Sequence, residues 1–212
     1  MSTIELREVL VAFVAIVVSI TIHEFGHAVV ADRLGDPTPR RYGRVSLNPL
    51  VIMKAEPIGA VVIPLIGAFM GFLFGYASTP VNLSQIRAGI PLRLAEFLVS
   101  IAGVVCNLVL FLLSSLIYVI VLQESSPSLQ ALQHLLHMLI IVNVILAVFN
   151  LIPIPPLDGF SVLKSIHPHG AAIGWLEQYG NLLFLMLFLT AGRLFEPIFG
   201  MLGFWFRWLR AF

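Results

Sequence analysis

The stretch Ser19-Ile20-Thr21-Ile22-His23-Glu24-Phe25-Gly26-His27-Ala28-Val29-Val30 sets an H-E-x-x-H pattern inside an apolar run from about Val9 to Ala31. At about 20 residues per crossing, that run is long enough to span a bilayer, so a membrane helix is expected. On a helix, residues i and i+4 lie one turn apart on one face, about 40° out of register, and both imidazoles can reach one metal ion. Glu24, beside the first histidine, is then placed to polarise water at that metal, as in zinc metalloproteases. Ionisable groups are costly in hydrocarbon and usually mark function there. The competing reading is a pair of core histidines held by a glutamate.

Composition agrees with membrane residence. Of 212 residues, 59% are hydrophobic and 11% charged, where a soluble domain carries about a quarter charged residues. The length suits one membrane domain over 1–212, without room for a substantial soluble module. A net charge of +1 and the absence of any dense basic run give no sign of nucleic-acid binding. Cys106 is the single cysteine, which excludes an internal disulfide or a thiolate-rich zinc site and leaves it as a packing thiol. The leading residues Glu5, Arg7 and Glu8 do not make the positive region of a signal peptide, so the first span is expected to be retained.

The fold expected is an all-α polytopic membrane protein with about four to six membrane segments, one of them re-entrant, and a small β element after the first helix. The first span covers about 9–31 and stops at Asp32-Arg33-Leu34-Gly35. Residues 36–56 are polar and rich in helix breakers, with Arg40, Arg41, Tyr42, Arg44 and Val45 reading as short extended pieces. The apolar stretch of about 57–75 is interrupted by Gly59, Pro64, Gly67 and Gly71. Spans follow at about 92–122 and 132–155, separated by the loop Gln123–Gln130, and a C-terminal membrane region covers about 181–205.

A catalytic zinc takes three protein ligands, and the two histidines leave one place to fill. Asp32 lies five residues after His27, about 140° around the helix, and points away. Asp36, just beyond Gly35, reads as a turn residue. Asp158 is the stronger candidate. It follows Pro153, Pro155 and Pro156, which must break the fourth helix, and broken backbone at membrane depth is tolerated where it lines a cavity or is buried in protein. The alternative for Asp158 is a turn or helix-cap residue at the membrane edge.

These motifs together resemble the site-2 protease family of intramembrane zinc metalloproteases, over most of the chain. His23-Glu24-Phe25-Gly26-His27 is similar to the family's zinc motif and Leu157-Asp158-Gly159 to its third-ligand motif. Gly35-Asp36-Pro37-Thr38, Leu47-Asn48-Pro49, Ala102-Gly103 with Asn107, Asn150 and Pro156 also look like family positions. The chain departs from the pattern in having Val104 where proline is usual. It also places Met53-Lys54-Ala55 before the acidic Pro-x-Gly element Glu56-Pro57-Ile58-Gly59. The resemblance implies one Zn2+ per chain held by His23, His27 and Asp158, with Glu24 as the catalytic base. The substrates implied are transmembrane proteins in the lipid bilayer, cut within or beside a membrane segment.

For Asn150 two roles stand side by side. One is a hydrogen bond to the oxyanion or substrate backbone; the other is a helix-end amide satisfying backbone freed by the prolines. A helical substrate must unwind before attack, and the strand-like pieces of 40–64 offer it an edge to pair with. With no sensor module, gating is expected from a prior cut, a regulatory membrane partner or the substrate itself. No feature specifies an oligomeric state.

Topology follows from the metal. His27 and Asp158 sit near the C-terminal ends of their helices, so an even number of crossings must separate them. Two spans intervene, and 57–75 is therefore expected to enter and leave on one face. That arrangement gathers Arg33, Arg40, Arg41, Arg44, Lys54, Arg87, Arg93 and Lys164 on the side of the site, leaving Arg7 opposite, with Arg207 and Arg210 if the last region crosses once rather than folding back. By the positive-inside rule the site faces the cytoplasm, as the resemblance also implies, in a bacterial inner or plasma membrane.

Remaining polar residues read as structural. His134 and His137 are interfacial or packing residues, His167 and His169 are solvated, and Arg193 with Glu196 forms an ion pair unless the last region is broken. Glu96 and Asn143 make intramembrane polar contacts, unless Glu96 is solvated at the nearby interface, and Trp205, Phe206, Trp208, Arg207 and Arg210 form an interfacial anchor. Two rival functions remain. A prenyl-protein protease would take its third ligand from a later glutamate, and no accompanying motif marks Glu177 or Glu196. A non-catalytic scaffold or transport component with a structural metal would not need Glu24.

Overall fold

Inside hydrocarbon a backbone amide finds no water, and helical hydrogen bonds satisfy it locally, so long apolar runs fold as helices. The computed structural model of the chain describes residues 3–70, 73–123 and 129–211. In order these form α1 (Thr3–Leu34), α2 (Thr38–Arg41), α3 (Pro49–Ala55), a π-helical turn (Ile58–Val62) continuing into α4 (Ile63–Met70), α5 (Leu92–Leu122), α6 (Gln130–Asn150), α7 (Asp158–Ile166), α8 (Ala171–Leu194) and α9 (Glu196–Leu209). Among the described residues, four helices are long and apolar enough to cross a membrane: Leu6–Leu34, Leu92–Leu122, Gln130–Asn150 and Ala171–Thr190.

The scaffold of the site is the trio α1, α5 and α6, with α5 packed along both others. Ala15, Ile16, Ile20, Leu139, Val142 and Leu146 fill the contact between α1 and α6. Ser19 and Thr21, mid-span on α1, each donate to a carbonyl one turn back (Ala15 O and Val17 O, both 2.7 Å), so neither hydroxyl is left unpaired. Cys106 packs where Gly26 lets α1 and α5 approach: a Cβ on Gly26 would lie 2.7 Å from Cys106 Sγ and 2.8 Å from Ala102 O.

The expected β element is not formed; the described residues contain no strand. Residues 38–41 are helical instead, because Pro37 and Pro39 fix φ for a helix start and Asp36 accepts from Thr38 N at 2.9 Å. Asn48 likewise caps α3, accepting from Leu50 N at 3.0 Å. The strand-like pieces expected along 40–64 are therefore not present as strands. Asp36 is the turn residue expected, fully buried and also accepting from Asn82 N at 2.6 Å.

Helix Ile58–Met70 is apolar but, at 1.5 Å per residue, about 20 Å long, short of the roughly 30 Å hydrocarbon thickness. The chain comes back to where this helix began, and Tyr76 N donates to Gly59 O at 3.0 Å. Residues 73–82 are non-helical and run beside α1. Glu56 ties the return in place: its Oε1 accepts from Arg44 Nη2 (2.9 Å), Ser78 N (3.0 Å) and Ser78 Oγ (3.2 Å).

The last region is broken at Phe195 into α8 and α9. Phe195 packs near the site with Phe74, Ile145, Phe149 and Leu157. Leu202, Phe206 and Leu209 pack with Tyr118, Val121 and Leu136 at the far end of the α5–α6 hairpin. The aromatic residues of α9 thus serve packing before anchoring: Phe206 is buried, and Trp205 Nε1 donates to Ser115 Oγ at 3.1 Å. His137 stacks on Phe206 at 4.1 Å, the packing role expected of it. The Arg193 side chain of the expected Arg193–Glu196 pair lies outside the described residues, as does most of the 123–130 loop.

Candidate metal centre

His23 and His27 are buried and project from one face of α1 toward α5, their Nε2 atoms 3.0 Å apart. Helix α6 ends at Asn150, and the proline-rich turn that follows brings Asp158, the first residue of α7, back over the pair. Asp158 Oδ2 lies 3.1 Å from His23 Nε2 and 3.3 Å from His27 Nε2. The three expected ligands therefore meet at one point. Asp32 points elsewhere, accepting from Arg40 Nε at 2.8 Å, and Glu177 is exposed and pairs with Lys164 at 2.6 Å.

Hydrogen bonds on the far side of each ring decide what the near side offers. His27 Nδ1 faces Val99 O at 2.7 Å. A carbonyl only accepts, so His27 carries its proton on Nδ1 and presents a lone pair at Nε2. His23 Nδ1 faces Asn107 Oδ1 at 2.5 Å and does the same. Asp158 turns its Oδ2 toward both of these lone pairs.

Three electron pairs thus converge, and Asp158 Oδ2 is buried without a hydrogen-bond partner. Such atoms repel one another unless a cation lies among them. Tetrahedral zinc with ligand distances of about 2.0–2.1 Å keeps its donors roughly 3.3–3.4 Å apart. The observed edges of 3.0, 3.1 and 3.3 Å are close to that size, and the two-nitrogen, one-carboxylate donor set suits zinc. Gly103 makes the room: a Cβ there would stand 2.5 Å from His27 Nε2 and 2.7 Å from His23 Nε2.

Glu24 completes a His-Glu-His cluster and is itself buried. Its Oε2 accepts from Thr79 Oγ1 at 2.7 Å, so the returning stretch 73–82 grips the candidate base. A cavity of about 280 Å3 opens beside these groups, bordered by Tyr76, Ser78 and Thr79 on one side and by Glu96, Phe149, Asn150 and Asp158 on the other. Asn150 Nδ2 donates to Leu146 O at 2.9 Å, a helix-end bond that is one of its two expected roles, while the residue also lines the cavity. Thr79, Val99, Asn143 and Ser19 escaped the sequence reading as parts of the site. Of these, only Thr79 had a local signal, as a hydroxyl in a breaker-rich segment after an apolar run.

A family model described as Peptidase family M50 matches residues 11–189. Among similar proteins, "Putative zinc metalloprotease YwhC" of Bacillus subtilis (strain 168) is 37% identical over 184 residues, covering 84% of this chain and 79% of that protein. Zinc metalloproteases described in the same terms and named Rip2 are also similar. The one from Mycolicibacterium smegmatis is 30% identical, with 81% of this chain and 64% of the relative covered. The one from Mycobacterium tuberculosis is 28% identical, with 82% and 64% covered. No solved structure matches the chain.

Proposed function

The chain belongs to peptidase family M50, the site-2 protease family, and is a metalloprotease of the multi-pass membrane type; from that premise we propose that it is a zinc-dependent endopeptidase cutting substrate proteins within or next to a transmembrane segment. The observation that carries this reading is the convergence of His23 Nε2, His27 Nε2 and Asp158 Oδ2 within 3.3 Å of one another, beside Glu24 and an open cavity.

One zinc ion per chain, held by His23, His27 and Asp158, supplies Lewis acidity when bound, polarising a carbonyl and making water more acidic. The chain's own groups do the rest. Glu24 takes the proton of the attacking water and later passes it to the leaving amine. The Thr79 hydroxyl fixes that carboxylate through Oε2. Asn150 commits one amide hydrogen to Leu146 O and has a second for the oxyanion or the substrate backbone. An unwound substrate needs backbone partners, and the non-helical stretch containing Tyr76, Ser78 and Thr79 borders the cavity where it would lie.

The same reading gives the topology. Helix Ile58–Met70 and its return form a re-entrant segment, and the site faces the cytoplasmic side of a bacterial plasma membrane. Its support is the end of the bundle at which Arg33, Arg40, Arg41, Arg87 and Lys164 gather, opposite α9 and its Arg207 and Arg210.

The direct test is Glu24→Gln in the full-length protein, with zinc content and cleavage of a membrane substrate measured together. Cleavage is lost while zinc is retained; Asp158→Asn loses both. Cleavage that survives Glu24→Gln rejects the mechanism.

A further inference from the structure

Behind His23 runs a line of buried polar side chains that crosses three helices. Asn107 on α5 meets His23 Nδ1 through its Oδ1 at 2.5 Å, and its Nδ2 donates to Asn143 Oδ1 on α6 at 2.7 Å. Asn143 Nδ2 donates to Ser19 Oγ on α1 at 2.8 Å and to Leu139 O at 2.8 Å, and Ser19 Oγ donates to Ala15 O at 2.7 Å. Ser19, Asn107 and Asn143 are all fully buried. Four polar groups in so apolar an interior are expensive unless each donor and acceptor is matched, and here they are.

The line has a direction, and backbone carbonyls set it. Leu139 O accepts only, so the Asn143 atom facing it must be the NH2 group. Ala15 O also accepts only, so the Ser19 hydroxyl points its hydrogen there and must accept from Asn143. Asn143 therefore turns its oxygen to Asn107. Asn107 answers with its own NH2 and is left with oxygen toward His23. An oxygen at that position admits His23 only with its proton on Nδ1, which frees Nε2 as a donor lone pair. Were the Asn107 amide reversed, its NH2 would hold a lone pair on Nδ1 and put the proton on Nε2, where it would block a metal.

We propose that Asn143 and Ser19 are positioning residues that fix the tautomer of His23 through Asn107, so that the metal-ligating nitrogen is set before the metal arrives. The proposal rests on His23 being a zinc ligand. His27 needs no such line because Val99 O dictates its tautomer directly. Outer hydrogen-bond partners of ligating histidines are generally worth 10–100-fold in metal affinity.

The test uses the full chain purified in detergent, with zinc affinity measured by competition against a chelating indicator. Asn143→Leu, of similar volume, is expected to weaken zinc roughly 10–100-fold, and Asn107→Leu at least as much. The double variant is expected to bind zinc no more weakly than Asn107→Leu alone, since Asn143 acts only through Asn107. Affinity within about twofold of wild type in Asn143→Leu, or losses that add fully in the double variant, overturns the proposal in favour of simple helix packing. A second measurement avoids any folding defect in the variants: nitrogen NMR of the zinc-free wild type, with histidines neutral and 15N-labelled. His23 with its proton on Nδ1 supports the proposal, and a proton on Nε2 overturns it. A wild type that binds no zinc would instead sink the metal reading, and the tautomer measurement would still decide the arrangement.

Discussion

Replacing Gly103 with alanine adds one methyl group, and the structure says where it must go. A Cβ at that position would stand 2.5 Å from His27 Nε2, 2.6 Å from His23 Cε1 and 2.7 Å from His23 Nε2, against an ordinary contact of 3.4 Å or more. Something has to move by about 0.9 Å. If the imidazoles retreat, they leave the triangle whose edges are 3.0–3.3 Å. If α5 backs away instead, the 2.7 Å bond from His27 Nδ1 to Val99 O stretches past hydrogen-bond range, and the Asn107 bond at 2.5 Å lengthens with it. Either relaxation harms the site. Overpacking of this kind costs about 1–3 kcal/mol, and a misplacement near 1 Å can cost on the order of a hundredfold in rate. Gly103→Ala is therefore expected to lower zinc affinity by tenfold or more, on the order of the loss of an outer partner, and cleavage by about a hundredfold. The apolar cluster that α5 shares with α6 and α9 is centred on Tyr118 and Val121, about four turns away, so the variant should still fold. Zinc competition and cleavage of a membrane substrate in detergent, beside a thermal melt, measure all three. A folded Gly103→Ala protein with wild-type zinc affinity and rate refutes the reasoning, because the methyl would then have found space the packing does not offer.

Thr79→Val removes the one hydroxyl that holds Glu24 Oε2. A hydrogen bond to a charged group is worth about 1.5–3 kcal/mol, so kcat should fall at least tenfold with KM little changed, and Thr79→Ser should restore it; equal kinetics for the valine and wild-type proteins would count against Thr79 as the holder of the base. For topology, a compartment-sensitive reporter fused after Lys164 should read cytoplasmic and one fused after Arg210 extracytoplasmic. An extracytoplasmic signal after Lys164 would invert the proposed orientation.

Much of the site was legible because its determinants are local. His23, Glu24 and His27 lie within two helical turns, and periodicity alone puts the histidines on one face. Asp158 was legible through prolines 153, 155 and 156, which had to end α6. The helix expected at about 92–122 is found at Leu92–Leu122, since a long, mostly apolar run without proline or a glycine pair admits one helix. The β element failed for an equally local reason. Arg40–Val45 lies in a polar, breaker-rich stretch that reads as short extended pieces, while Asp36-Pro37 and Asn48-Pro49 are helix-start signals that set the local structure. The non-helical segment that borders the site lies later, at 73–82, where the apolar stretch of 57–75 gives way to Ser78, Thr79, Pro80 and Asn82.

What no local pattern reveals is register between helices. Ser19, Asn107 and Asn143 are far apart in sequence and look like three unrelated polar residues in three apolar spans. Each would be costly alone in that environment. That cost is the physical clue to their joint role: a buried amide in a membrane helix calls for a partner on another helix, and the two amides with the Ser19 hydroxyl close a set only if α1, α5 and α6 stand at one particular height relative to each other. The same height brings His23 to Asn107 and His27 to Val99 O. Sliding α5 by one turn, about 5.4 Å, would break the bonds of Asn107 to His23 and Asn143 and that of Val99 O to His27 together. The polar line therefore selects the helix register that assembles the H-E-x-x-H motif, and the chemistry of the first helix is specified as much by Asn107 and Asn143 as by the histidines themselves.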